Sequence, residues 1–442
     1  MKNILLAGSL LIGLGSLQAQ KSIQFEEYDL DNGLHVILHE DHTTPIVAVT
    51  VLYHVGSKNE VVGRTGFAHF FEHLLFEGSE NIKRGEYMEI VQSNGGALNA
   101  NTSQDRTFYY EVLPSNKLEL GLWLESERML HAKIDIDGVE TQREVVKEEK
   151  RLRVDNQPYA TFSQNMFKRA FPNTVYEWVP IGSMDDLNAA QLDEFIDFYK
   201  QYYLPNNATL SIAGDIDPEE AKELIAKYFS DVPRGADVVQ PDFKLPALPE
   251  GGVEDVVYDN IQLPGIFMGY RTPGQTDEDS YAVAMLAQVL SQGESSRLYK
   301  KMVDQEQSAV AVFAFPFQLE SSGMLITLAI ANQGVELDQV EASILAEVER
   351  LKTEPIGERE FQKLQNQLES GFVSSNSNMS GIAESLADYH TYYGDANLIN
   401  TEINRYRKIT AADLQRVANK YLTKDNLVKL KYLPKSQETG SL

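Results

Sequence analysis

The chain has 442 residues, with 65 acidic against 39 basic side chains and a formal net charge of -26. That balance argues against a nucleic-acid binder, whose partner's phosphates require an excess of Lys and Arg, and against docking to an anionic membrane surface. Hydrophobic residues at 43% and charged residues at 24% exclude a disordered chain and suit two to four structural units, while the absence of cysteine means that any metal is held by His, Asp or Glu.

Residues 1–19 read as a secretory signal peptide. Lys2 is a minimal positive start, residues 4–17 form an apolar run broken by Gly8, Gly13 and Gly15, and Leu17-Gln18-Ala19 offers a cut that leaves Gln20 first. The run is shorter than the roughly 20 apolar residues of a membrane span. Export with no cysteine for lipid attachment predicts a periplasmic protein, or a fully secreted one.

Residues 25–30 and 34–39 are predicted to pair as a hairpin about Asp31-Asn32-Gly33. Residues 46–55 are rich in β-formers and end at Gly56-Ser57. Residues 67–76 have helical apolar spacing, and a helix over 84–93 stops at Asn94-Gly95-Gly96. Strands follow at 97–102 and 107–112, and Ser115 is placed to cap a helix running to about residue 131. A long helix spans 138–154, with Pro158 just beyond; then come a helix at 192–203, a strand at 208–213 and a helix after Pro218. Seven Pro and Gly residues between Pro233 and Gly252 mark 231–252 as a linker.

Beyond the linker the order of elements repeats. Strands are predicted at 253–258 and 266–271, a helix at 281–292 where the first half has 67–76, and strands at 309–315 and 324–331. More helices follow, and the chain closes with a helix to residue 421 and a strand at 427–432. Tyr203-Leu204-Pro205-Asn206-Asn207 and Tyr421-Leu422-Thr423-Lys424-Asp425-Asn426 precede corresponding strands. The expected fold is a duplicated α+β unit: a catalytic half at 20–230 and a second half at 253–442.

His69-Phe70-Phe71-Glu72-His73 carries the chemistry. At about 100° per residue, His69 and His73 sit roughly 40° apart on one helix face, with Glu72 about 60° to the other side of His69. An i, i+4 imidazole pair reaches one zinc ion, and the glutamate between can take a proton from water. A catalytic zinc has three protein ligands and an open position. Glu148 and Glu149 on the downstream helix are both candidates for the third; they point about 100° apart, and spacing does not choose between them.

The chain resembles the pitrilysin/insulinase superfamily of zinc peptidases, close to the short bacterial relatives of the mitochondrial processing peptidase. The resemblance rests on His54-Val55-Gly56-Ser57-Lys58-Asn59-Glu60, on Gly66 to Phe76 around the His pair, and on Gly95-Gly96-Ala97-Leu98-Asn99-Ala100-Asn101-Thr102-Ser103. It continues through Arg143-Glu144-Val145-Val146-Lys147-Glu148-Glu149 and Tyr203-Leu204-Pro205-Asn206-Asn207-Ala208. It implies Glu149 as the third ligand of one zinc per chain, Glu72 as general base, and two similar halves, each a mostly antiparallel sheet packed with helices, forming a clam-shell. It also implies that a peptide substrate adds as a strand beside residues 98–102, at Asn99 and Ala100; such backbone pairing reads few side chains.

The sequence departs from that pattern twice. Many relatives carry a glutamate seven residues before the third ligand, where this chain has Gln142, able to hydrogen-bond behind the metal but not to supply charge. Relatives that grip substrate carry an Arg and a Tyr after a Ser-Ser-Arg-Leu segment; here Ser295-Ser296-Arg297-Leu298 is followed in that register by Val303 and Val310. The resemblance therefore implies a zinc endopeptidase acting on peptides or unfolded segments, working with a second, similar chain that lacks the zinc motif and supplies the Arg and Tyr. Arg297 or Tyr299 could instead substitute within this chain. The competing reading is a non-catalytic assembly or binding subunit of the same fold.

Overall fold

The structure is a computed structural model describing residues 22–440. The expected signal peptide and its cut before Gln20 lie outside the described residues. The first sheet contains β1 (Glu26–Asp29), β2 (His35–Glu40), β3 (Ile46–Tyr53), β4 (Ala97–Thr102), β5 (Thr107–Pro114) and β6 (Ala208–Gly214), in the order β1-β2-β6-β3-β5-β4. The second contains β7 (Val253–Asp259), β8 (Gly265–Pro273), β9 (Ala309–Gln318), β10 (Ser322–Ala331) and β11 (Leu427–Pro434), in the order β7-β11-β8-β10-β9. In each sheet one pair is parallel, β2 with β6 and β7 with β11; all other pairs are antiparallel. Laying β2-β6-β3-β5-β4 on β7-β11-β8-β10-β9 matches every strand and direction. The fold is α+β, two similar halves in a clam-shell.

Strand β6 is buried along its whole length. Small polar Thr209 and Ser211 alternate with its apolar residues and are buried with them, because helices cover both faces of the sheet. One face packs Val49, Val51, Leu210 and Ile212 against helical Phe70, Leu74, Leu122 and Phe195. The other packs Ile37, Ala48 and Ala213 against Ile382, Ala383 and Leu386 from the helix Met379–Tyr393, which belongs to the second half of the sequence. The exchange is reciprocal: helix Phe162–Ala170 lays Met166, Phe167 and Ala170 on Phe267, Met324 and Ile326 of the second sheet. Large apolar side chains each contribute about 1.5–3 kcal/mol on burial, so each sheet depends on the other half for its second apolar cover.

Residues 231–252 lie outside the named helices and strands, yet they are held as a strap. Phe243, Leu245 and Leu248 pack on the second core, and Arg271 donates to the Pro246 carbonyl at 2.6 Å. The tip of the β9–β10 hairpin forms a polar latch to the first half. Glu320 pairs with Lys58 and lies 2.8 Å from His54 Nε2, while its backbone N–H donates to Asp105 at 2.9 Å. Burial pushes the Glu320 carboxyl up, but His54 and Lys58 outweigh it and hold it down at about 2.

Several boundaries differ from expectation. Ser115 opens a 3-10 turn, and helix Leu118–Leu130 follows from Lys117 without a side-chain cap. The long helix starts at Ile136, because Asp135 caps it by accepting from Gly138 N; it runs as an α-helix to Lys150 and continues as a π turn over Arg151–Asp155. Among the described residues no helix is long and apolar enough to cross a membrane.

Candidate metal centre

Helix Phe67–Leu74 buries Phe67, Phe70, Phe71 and Leu74, which leaves His69, Glu72 and His73 on its half-buried face. The buried side is fixed by aromatic packing: Phe67 and Phe70 each lie 4.5 Å from Phe195 between ring centroids. The helix begins at Gly66, whose left-handed φ of 99° suits a residue without Cβ. Gly66 has no side chain to cap the free N–H groups, and buried Glu60 does so instead, accepting from Gly66 N and Ala68 N at 2.9 Å each. Tyr109 Oη donates to the Phe71 carbonyl at 2.9 Å, fixing the middle of the same helix to β5.

Helix Ile136–Lys150 crosses beside it with Val139 and Val146 buried. Val145 is exposed. Glu148 also faces solvent and pairs with Arg151 at 3.0 Å. Glu149 turns inward: its Oε2 lies 3.0 Å from His73 Nε2 and 3.7 Å from His69 Nε2, and its Oε1 takes an ion pair from Arg153 at 2.9 Å. The three candidate ligand atoms lie within 4.8 Å of one another.

The donor set fits zinc. Tetrahedral Zn–N and Zn–O bonds of about 2.0–2.1 Å place ligand atoms roughly 3.3 Å apart, close to the separations around Glu149. Burial, then the neighbouring His73, lowers His69 to about 4, so it is a neutral imidazole near pH 7. The His73 hydrogen bond holds Glu149 below the usual carboxylate range. A neutral imidazole beside an ionised carboxylate is the protonation pattern that metal ligands need. Glu72 points into the same space and accepts from Thr102 Oγ1 at 2.6 Å. Burial raises its pKa, and the Thr102 bond opposes that rise.

Thr102 ends β4, the edge strand, which among the described residues pairs only with β5. Side chains alternate along it: Ala100 is buried in the first core beside Phe70 and Phe71, and Asn99 is exposed. Among the described residues Gln142 makes no hydrogen bond to His69, His73 or Glu149. Its Nε2 donates to Glu77 at 2.5 Å, and Glu77 in turn pairs with Arg84 at 2.6 Å.

Sequence reasoning missed Thr102 as a partner of Glu72, Glu60 as the helix cap and Arg153 beside Glu149. The i, i+2 relation of Thr102 to buried Ala100 was the one available signal for Thr102. It missed entirely Arg128, which is fully buried with Glu111 and Glu125 and sits 4.1 Å from the Tyr109 ring centroid. In the second half Val303 packs partly buried against its core, and Val310 is exposed on edge strand β9. Arg297 is committed to Glu360 through bonds of 2.9 and 2.8 Å.

Residues 35–177 match the profile described as Insulinase (Peptidase family M16), and residues 189–368 match Peptidase M16 inactive domain. The chain is 32% identical over 421 residues to zinc protease PqqE of Helicobacter pylori, covering 94% of this chain and 95% of that protein. The crystal structure of a protease from Helicobacter pylori has a TM-score of 0.88 at 31% identity, over 93% of this chain and 100% of that one. The periplasmic protease PqqL from Escherichia coli shares the fold, with a TM-score of 0.76 at 22% identity, over 94% of this chain and 48% of that one. The chain belongs to the insulinase family, peptidase family M16.

Proposed function

We propose that this protein is a zinc endopeptidase of peptides and unfolded segments, exported to the periplasm and working as the metal-bearing subunit of a two-chain enzyme. The observation that carries the reading is the meeting of His69, His73 and Glu149 from two helices, with Glu72 beside them and hydrogen-bonded to the edge strand. His69, His73 and Glu149 hold one zinc. That ion, when bound, polarises the scissile carbonyl and lowers the pKa of a water toward 7. Glu72 takes the proton from the attacking water and returns it to the leaving amine. Thr102 orients Glu72, and β4 aligns the substrate backbone at Asn99 and Ala100 as an added strand.

The partner reading rests on what the second half presents. Val303 and Val310 have no hydrogen-bond donor in their side chains, and Arg297 is tied to Glu360. The length of PqqL, of which this fold spans 48%, supports pairing of two such units. The match of residues 189–368 to an inactive domain favours a scaffold as the second reading, but His69, Glu72, His73 and Glu149 all lie outside that stretch.

Elemental analysis and peptide hydrolysis test the reading. His69→Ala and Glu149→Ala each release one equivalent of zinc relative to wild type. Glu72→Gln keeps that zinc and loses about 10²–10⁴ in rate. Unchanged zinc in both ligand variants, or a wild-type rate in Glu72→Gln, overturns the assignment. N-terminal sequencing of periplasmic protein finds Gln20 first if export is correct. Full activity from a monomer refutes the partner requirement.

A further inference from the structure

A second cluster of metal-ligating side chains lies away from the candidate metal centre, where β1 and β2 meet the helix Met379–Tyr393. Antiparallel pairing sets Asp29 directly opposite His35, and Glu27 lies two residues back on the same face of β1. The helix, packed on this sheet through Ile382, Ala383 and Leu386, brings His390 onto His35: the two imidazoles are parallel within 5°, with centroids 3.4 Å apart. One ligand atom from each of Glu27, His35 and His390 falls within 4.8 Å of the others.

The hydrogen bonding of His35 points its second nitrogen at a carboxylate. Its Nδ1–H donates to Asp29 Oδ1 at 2.7 Å, which turns Nε2 the other way, toward Glu27. That Nε2 is shielded from solvent and has no hydrogen-bond partner, while the Glu27 carboxylate Oε2 stands 3.4 Å from it. A positive charge between the two balances that contact, whether a proton on Nε2 or a metal ion held by both. A carboxylate on the far nitrogen of a histidine is also the usual orienting partner of a metal-bound imidazole.

We propose that Glu27, His35 and His390 form a second, structural site for a borderline divalent cation, with zinc as its chemical type. Two imidazoles and a carboxylate match the donors zinc takes, and His35 is oriented by Asp29 as such a ligand should be. Parallel stacked rings do not share an in-plane ion, so loading turns the His390 ring out of the stack. Among the described residues no glutamate stands to this site as Glu72 stands to the first, so its role is mechanical. It ties the β1–β2 hairpin of the first half to the helix that the second half lends, and closes a loop spanning most of the chain.

The test uses the full chain, stripped of metal, titrated with Zn²⁺ and assayed by elemental analysis after desalting. Wild type takes up two Zn²⁺. His390→Phe keeps a planar ring on His35 without a donor; it takes up one, and its peptide hydrolysis equals that of wild type. His69→Ala takes up one, and the double variant takes up none. The melting temperature of His69→Ala rises by about 2 °C at saturating Zn²⁺, and His390→Phe in that background abolishes the rise. Equal zinc content in wild type and His390→Phe overturns the proposal, as does a melting temperature of His69→Ala that ignores Zn²⁺. A site loss confined to His390→Phe upholds it even if the His69 variant shows the first centre to be metal-free.

Discussion

The two sheets have the same strand order and directions over five strands, yet the helices beside their edge strands have opposite characters. Helix Phe67–Leu74 leaves His69, Glu72 and His73 partly accessible. Its counterpart Glu278–Ser291, packed on the second core, is buried almost all round, from Asp279 to Leu290 except Gln288. A helix with no free face has no room for an open metal position. The duplicated scaffold therefore fixes where a site could be, and the accessible face of one short helix decides whether it exists.

The largest expected effect concerns the buried charge beneath the first half's helices. Arg128, Glu111 and Glu125 are all fully buried, with one cation facing two carboxyls. Burial, then Glu125, pushes Glu111 far above its usual range. Arg128→Met leaves these buried carboxyls without their cation and costs about 3–5 kcal/mol. Denaturant unfolding measures it; a loss below 1 kcal/mol would show that this ionic core is dispensable.

The comparison sharpens if the second half is given what it lacks. Installing Val303→Arg with Val310→Tyr raises hydrolysis by the isolated chain about 10²-fold, the usual worth of a positioned oxyanion donor, with zinc content unchanged. Steady-state kinetics decide it, and an unaltered rate would remove the missing pair as the reason for a partner.

The latch between the halves is weaker. Glu320→Gln removes a charge-assisted contact to Lys58 and costs about 1.5–3 kcal/mol. The sign with pH follows from a folded value of about 2 against an ordinary one near 4.5. Stability from this group is complete above pH 4.5 and is lost as pH falls toward 2. Acid unfolding of wild type therefore has a component in that window which Glu320→Gln lacks, and parallel unfolding profiles would discard the latch.

The smallest effect lies at the general base. Thr102→Val removes the donor that favours ionised Glu72, so its pKa rises further. The acid limb of kcat/KM shifts upward by about 0.4–1 pH unit, the equivalent of one net hydrogen bond. A limb that stays in place or moves down would dissociate Thr102 from Glu72.

Local patterning in the sequence determined the periodic elements and one helix face of chemistry. The 3.6-residue period placed His69, Glu72 and His73 together, Asn94-Gly95-Gly96 stopped a helix, and the repeated strand order revealed the duplication; all of these depend on neighbours within a few residues. Tertiary structure decided what depends on distant partners. Glu149 rather than Glu148 faces the His pair because the helix rolls onto Val139 and Val146. Glu60 caps the His helix from outside it, and Thr102 reaches Glu72 from the edge strand beside the helix. The exchange of helices between halves was not legible, because an apolar face specifies that it must be buried but not by what. The meeting of Glu27, His35 and His390 is of the same kind: hydrophobic packing of one helix on a foreign sheet brought their charges together, and no spacing along the chain encodes it.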